Sequence, residues 1–179
     1  MRHFLGIGII VLLVATSCKK ETDKLPATTS TGANTFGCLV DGKAWIATGR
    51  GTFSGVNPTS GGFWGEVDST VSIYIKAYGE NDEIAIYLKN IIAVGSYQLN
   101  RNTDIKPSAV LPQASYGMYA LLYDPEFVTD SIYTGIVNIT HADLGTGIVS
   151  GTFEMRLYQK NTGKIINITS GRFDYKTHP

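Results

Sequence analysis

The chain has 179 residues, of which 43% are hydrophobic and 17% charged, and its 15 basic residues balance its 15 acidic ones. That is the length of one domain with enough apolar content to bury a core, and too little charge for a disordered chain. Zero net charge speaks against nucleic acid as a partner, which needs clustered Lys and Arg, and two cysteines exclude a disulfide scaffold and most structural zinc sites.

The chain opens on a targeting pattern. Arg2 supplies a positive start, and Phe4 to Val14 is an apolar run of 11 residues. A spanning helix needs about 20, so the run reads as the core of a secretory signal. Ala15, Thr16 and Ser17 are small and stand directly before Cys18, which resembles a bacterial lipobox. The implied chemistry is a diacylglycerol thioether on Cys18, cleavage before it and acylation of the new N-terminus, an anchor held by several acyl chains. Residues 1–17 are then the signal peptide. The mature chain loses Arg2 and carries 14 basic against 15 acidic residues. Lys19 in place of Asp favours the outer membrane by analogy with lipoprotein sorting; the leaflet stays open.

Residues 18–34 are rich in Lys, Thr, Ser, Ala and Gly and read as a lipidated Cys followed by a flexible tether. Residues 35–179 read as a single all-β domain. Val71, Ile73, Ile75 and Ala77 alternate with polar or aromatic neighbours, as do Ile84, Ile86 and Leu88, and Phe153, Met155 and Leu157. This period of two marks half-buried strands. Turn residues separate the runs at 79–82, 100–102, 145–147 and 161–163. Residues 102–116, with Pro107 and Pro112, form the longest irregular stretch. Strands near 134–141, 148–158 and 164–176 predict an antiparallel meander, with Gly171 marking a bulge that re-aims Phe173 and Tyr175. Asn138-Ile139-Thr140 and Asn167-Ile168-Thr169 read as unmodified strand residues. The expected fold is an antiparallel two-sheet sandwich of about 8–10 strands, with a closed calycin-like barrel as the alternative.

Four segments carry a resemblance. The run Thr35-Phe36-Gly37-Cys38-Leu39-Val40-Asp41-Gly42-Lys43-Ala44-Trp45 resembles the opening of a family of uncharacterised lipoproteins from Bacteroidota. Gly95-Ser96-Tyr97-Gln98-Leu99 is similar to its middle, and Ile148 to Glu154 and Ile168 to Asp174 are similar to its C-terminal pair. With the lipobox, the resemblance spans nearly the whole chain. It implies an all-β lipoprotein and transfers no catalytic residue.

Chemistry-bearing residues are sparse. Cys38 lies in an apolar run and reads as core. His141 and Asp143 stand two apart beside a Gly turn, and one His builds no multi-His zinc site. Glu80, Asp82 and Glu83, and Asp124, Glu126 and Asp130, are acidic turn clusters without the EF-hand spacing. No helix follows the Gly-rich stretches at 49–55 and 61–65, so no phosphate cradle is expected. The candidate binding residues are aromatic: Phe63 and Trp64 between glycines as an exposed tip, and Tyr119 and Tyr123 on one strand face, suited to stacking on sugar rings or anchoring a protein. The expected function is a non-catalytic outer-membrane lipoprotein that binds a glycan, a peptide or an envelope protein, with no catalytic residue, no cofactor and no metal. The alternatives are a hydrolase of glycans or lipids using carboxylates or His141 with Asp143, and a lipocalin-like carrier of a small apolar molecule.

Overall fold

The structure, a computed structural model, describes residues 20–52, 55–65, 70–91, 93–101, 114–121 and 126–177. A 3-10 turn at Glu21–Lys24 precedes the strands. These are β1 (Thr35–Val40), β2 (Lys43–Ile46), β3 (Arg50–Thr52), β4 (Gly55–Asn57), β5 (Thr59–Gly65), β6 (Val71–Tyr78), β7 (Asp82–Ile91), β8 (Gly95–Leu99), β9 (Tyr116–Leu121), β10 (Phe127–Val128), β11 (Gly135–Asp143), β12 (Ile148–Tyr158) and β13 (Ile165–Lys176). The excess over the expected number comes from short pieces such as the β3–β4 pair and the two-residue β10.

All pairings are antiparallel, in the order β2-β1-β13-β12-β10-β9-β7-β6-β5, with β11 also on β12 and β8 on β11. The sheet curls into a half-barrel around its main apolar core. From one limb come Ile73, Ile75, Ile84, Ile86 and Leu88; from the other come Phe36, Cys38, Val137, Phe153, Leu157, Ile168 and Tyr175. The alternation legible in the sequence is thus the inward-facing set of each strand.

Bulges in β13 and β7 change which residues face inward. Ile166 and Ile168 of β13 are buried, and then Phe173 and Tyr175 are. Even numbers give way to odd ones because β13 holds one residue more than either neighbour: Arg172 to Thr169 spans Gly37 to Leu39 of β1, and Gly171 to Ile168 spans Phe153 to Met155 of β12. Ser170, with φ +53°, lies within this bulge. β7 repeats the device at Asn90 (φ +59°), where Leu88 and Ile91 both point into the core. A bulge with a residue in the left-handed region inserts one unpaired position and flips the faces beyond it.

The segment before β1 departs from expectation. From Lys20 onward it is not a free tether but a strap laid over the outer face of β1 and β13. Glu21 Oε2 accepts the edge N–H of Ala44 at 2.9 Å, Leu25 is buried, and Arg172 donates to the Pro26 carbonyl at 3.2 Å. The strap is latched by Asp174, only 1% exposed. Its carboxylate accepts from the Thr29 hydroxyl (2.6 Å), the N–H groups of Thr31 (3.0 Å), Gly32 (2.9 Å) and Ala33 (3.1 Å), and the Ser150 hydroxyl (2.8 Å). Composition predicts disorder because the strap has few apolar side chains; its backbone donors find a buried acceptor instead.

Candidate functional site

The residues expected to bind are placed as follows. Phe63 sits within β5, opposite Ile73, half-buried with its ring 6.5 Å from that of Tyr175. It is therefore no exposed tip, because the glycines around it extend the strand and do not turn it. Trp64 follows in the same strand, opposite Ser72. Tyr119 faces the core side, lies tilted against Phe127 with ring planes 55° apart, and donates its hydroxyl to Asp82 Oδ2 at 3.0 Å. The same carboxylate oxygen accepts Trp45 Nε1 at 2.9 Å. Burial first, and then the Asp82 charge, raises the Tyr119 phenol well above its ordinary value. Tyr119 is thus a structural strut. Tyr123 and Cys18 lie outside the described residues.

The remaining candidates resolve into packing and turn chemistry. Cys38 is fully buried, and burial pushes its thiol up to about 12. Asp143 accepts the N–H groups of Gly145 (2.9 Å) and Thr146 (3.2 Å), closing the β11–β12 turn. These bonds, with the Thr146 hydroxyl foremost, lower its pKa. His141 stands opposite Ser150. Asp130 likewise accepts from Ile132 and Tyr133 N–H, each at 2.7 Å. Among the described residues no group of three metal-ligating side chains converges.

The tyrosine-rich face exists, built from other tyrosines. Tyr74, Tyr87 and Tyr116 stand in register across β6, β7 and β9, with ring centroids 6.3 and 4.5 Å apart. Tyr87 and Tyr116 are buried, so this ladder is a second apolar cluster.

The open chemistry lies on the outer face of β8, β11, β12 and β13. Two depressions of about 310 and 420 Å3 adjoin there, and both are lined by Glu154. Thr28 of the strap, Asn138, Thr152, Ser170 and Arg172 line the first. Gln98, Thr134, Arg156, Asn167 and Thr169 line the second. The Glu154 carboxylate is exposed and makes no hydrogen bond or ion pair among the described residues. Arg156 lies 5.4 Å above the ring of Tyr133, which stacks face to face on Tyr158 with centroids 4.8 Å apart and planes 7° apart. The result is a polar groove with a fixed aromatic pair beside it.

The sequence carried a signal for this face. Ser150-Gly151-Thr152-Phe153-Glu154 and Ser170-Gly171-Arg172-Phe173-Asp174 share one pattern, Ser-Gly-x-Phe-acid. The two copies pair antiparallel, Ser150 opposite Asp174 and Gly151 opposite Phe173. The acid of one copy, Asp174, is covered by the strap; the acid of the other, Glu154, faces the groove across from the bulge at Ser170.

A family model described as a domain of unknown function, DUF6252, matches residues 59–176. The chain belongs to the DUF6252 family. The match takes in the strands from β5 to β13, including both Ser-Gly-x-Phe segments, and begins after the strap and β1–β4. No curated protein and no solved structure matches the chain.

Proposed function

We propose that this DUF6252 protein is a lipid-anchored, non-catalytic binding module of the bacterial outer membrane, and that its ligand is a glycan held in the groove around Glu154. The observation that carries this reading is the composition of the groove. A free carboxylate, two guanidinium-bearing walls and the side-chain amides of Asn138, Asn167 and Gln98 converge on two joined depressions next to a stacked tyrosine pair. Sugars present several hydroxyls that both donate and accept, and apolar ring faces that lie on aromatic side chains. The N-terminal lipobox supports the membrane anchor, and the family resemblance supports a lipoprotein.

A second reading has its own support. The strap binds one half of this face as an extended peptide, giving its N–H groups to Asp174. Glu154 offers the same kind of acceptor to an extended peptide from a partner. Titration calorimetry with oligosaccharides and with Thr-rich peptides separates the two. Binding of a glycan class that Glu154→Gln and Arg156→Ala abolish supports the first. Binding of peptides only transfers the function to the second, and binding of neither by the folded protein overturns the groove as a ligand site.

A further inference from the structure

We propose that the end of the domain formed by the β1–β2 and β12–β13 turns rests on the anionic lipid surface that holds the acyl chains of Cys18. The domain would then be seated on the membrane and not swing from it. This rests on the lipid-anchored reading of the N-terminus.

The path of the strap sets the geometry. It runs back along β1 from Asn34, whose side chain accepts the Lys176 N–H, to Glu21, which is bonded to the edge of β2 at Ala44. The chain therefore leaves the domain beside the β1–β2 turn. Val40 pairs with Ile168 and Asp41 N–H bonds the Asn167 carbonyl, so that turn and the β12–β13 turn share one end of the sheet. Cys18 is two residues before Lys20, and two extended residues span only about 7 Å. No slack remains for the domain to stand off.

The same end has the chemistry of a membrane-facing surface. Lys20, Lys24, Lys43, Lys160 and Lys164 are all exposed there. Of the carboxylates at this end, Glu21 pairs with Lys24, Asp41 accepts the Asn167 N–H and Asp130 the N–H groups of Ile132 and Tyr133, while Asp23 is exposed. Beside the lysines, Ile132 is 78% and Ile165 36% exposed, and Ile165 pairs with Tyr158 of the stacked tyrosines. Exposed lysines attract anionic headgroups, and tyrosines with a few protruding aliphatic side chains suit the boundary between headgroups and acyl chains. The glycan groove runs up the outer face from this rim and stays open to the side.

The test uses the full chain, produced in cells that acylate it and reconstituted in phosphatidylglycerol vesicles carrying a headgroup nitroxide lipid. Intact mass reads acylation of Cys18 separately. Buried Cys38 does not take up a maleimide dye, so Asn161→Cys labels the proposed seat and Leu144→Cys the far turn. β13 has 12 residues, which at about 3.3 Å each separates the two ends by about 36 Å. The expected result is strong quenching at 161 and none at 144. Asp174→Ala, which releases the strap, equalises the two, and Lys160→Glu with Lys164→Glu weakens quenching at 161. Acylated protein quenched equally at both sites, or more at 144, overturns the seat while leaving the anchor intact. Protein that carries no acyl mass overturns the anchor and the seat together.

Discussion

Phe153 of β12 stands opposite Gly171 of β13, and its ring lies so close that a Cβ at 171 would meet three ring carbons at 2.6 Å. Phe173 repeats the relationship with Gly151, where a Cβ would lie 2.9 Å from the ring and 2.3 Å from the Asn138 carbonyl oxygen. Each phenylalanine fills the space its partner glycine leaves and shields the bare backbone. Gly171→Ala should cost about 1–3 kcal/mol through overpacking. Gly151→Ala should cost more, because backbone cannot step aside as a ring can. Urea unfolding of the three proteins checks the order.

The Asp174 latch makes the strap sensitive to acid. Burial alone would raise this carboxyl, but the bonds from Thr29, Ser150, Ala33 and Thr31 outweigh burial and hold it well below the ordinary carboxylate range. A folded-state pKa below the unfolded one means the stabilisation is present in full above the ordinary value of about 3.9 and is lost as pH falls through the folded value. Protection of the Thr31, Gly32 and Ala33 amides, taken against their intrinsic exchange rates, should therefore be high at pH 5 and fall progressively below about pH 4. Asp174→Ala should show the low protection already at pH 5 and cost about 2–4 kcal/mol, the range for removing several charge-assisted bonds at a buried site. Equal exchange in the two proteins at pH 5 would count against the latch.

Asp82 joins Trp45 of β2 to Tyr119 of β9 through one oxygen, and Cys38 lies in the core nearby. Asp82→Ala leaves an indole N–H and a phenol unpaired, at about 1–3 kcal/mol for each donor that stays buried. Cys38 should be silent to a thiol reagent in the native protein, since only the thiolate reacts and its formation is pushed to about pH 12. Labelling should track unfolding and speed up in Asp82→Ala. Fast labelling of the native wild type would show that the core is not closed over β1.

At the groove, Tyr158→Ala removes one half of the stacked pair, and Glu154→Gln keeps the shape while removing the charge. Both should leave the melting temperature nearly unchanged, because Glu154 is exposed and Tyr158 only half-buried. Loss of a stacking ring should weaken glycan binding by roughly two- to tenfold, given that an aromatic contact contributes about 0.5–1.5 kcal/mol beyond its buried area. A melting temperature that falls as far as in the glycine variants would make Tyr158 a packing residue.

The fold class was legible because period-two alternation reports burial directly: Ile73, Ile75, Ile84 and Ile86 all point where the pattern places them. The bulge near Gly171 was legible from the switch in spacing between Ile168 and Phe173, although Ser170 carries the left-handed backbone. The strap was not, since composition counts apolar side chains and its order comes from backbone donors meeting Asp174, some 140 residues later in sequence. Phe63 and Tyr119 were misread as surface because an aromatic in a strand carries no mark of which sheet face is covered. The groove depends on Glu154, Arg156 and Asn167 meeting across strands, which no local pattern encodes; the repeated Ser-Gly-x-Phe-acid segment was the one available pointer.

The extra residue of β13 works like a frame shift written in three dimensions. Upstream of it the strand is read in one phase and downstream in the other, and both neighbouring strands are set to that change. Deleting one residue at 169–170 would remove the bulge and restore plain alternation, so Phe173 and Tyr175 would still face the core, and losing a residue from the loop at 160–163 would likewise leave every later phase intact. The bulge is therefore a spare position carried inside a strand, as able to give up a residue as the loop before it.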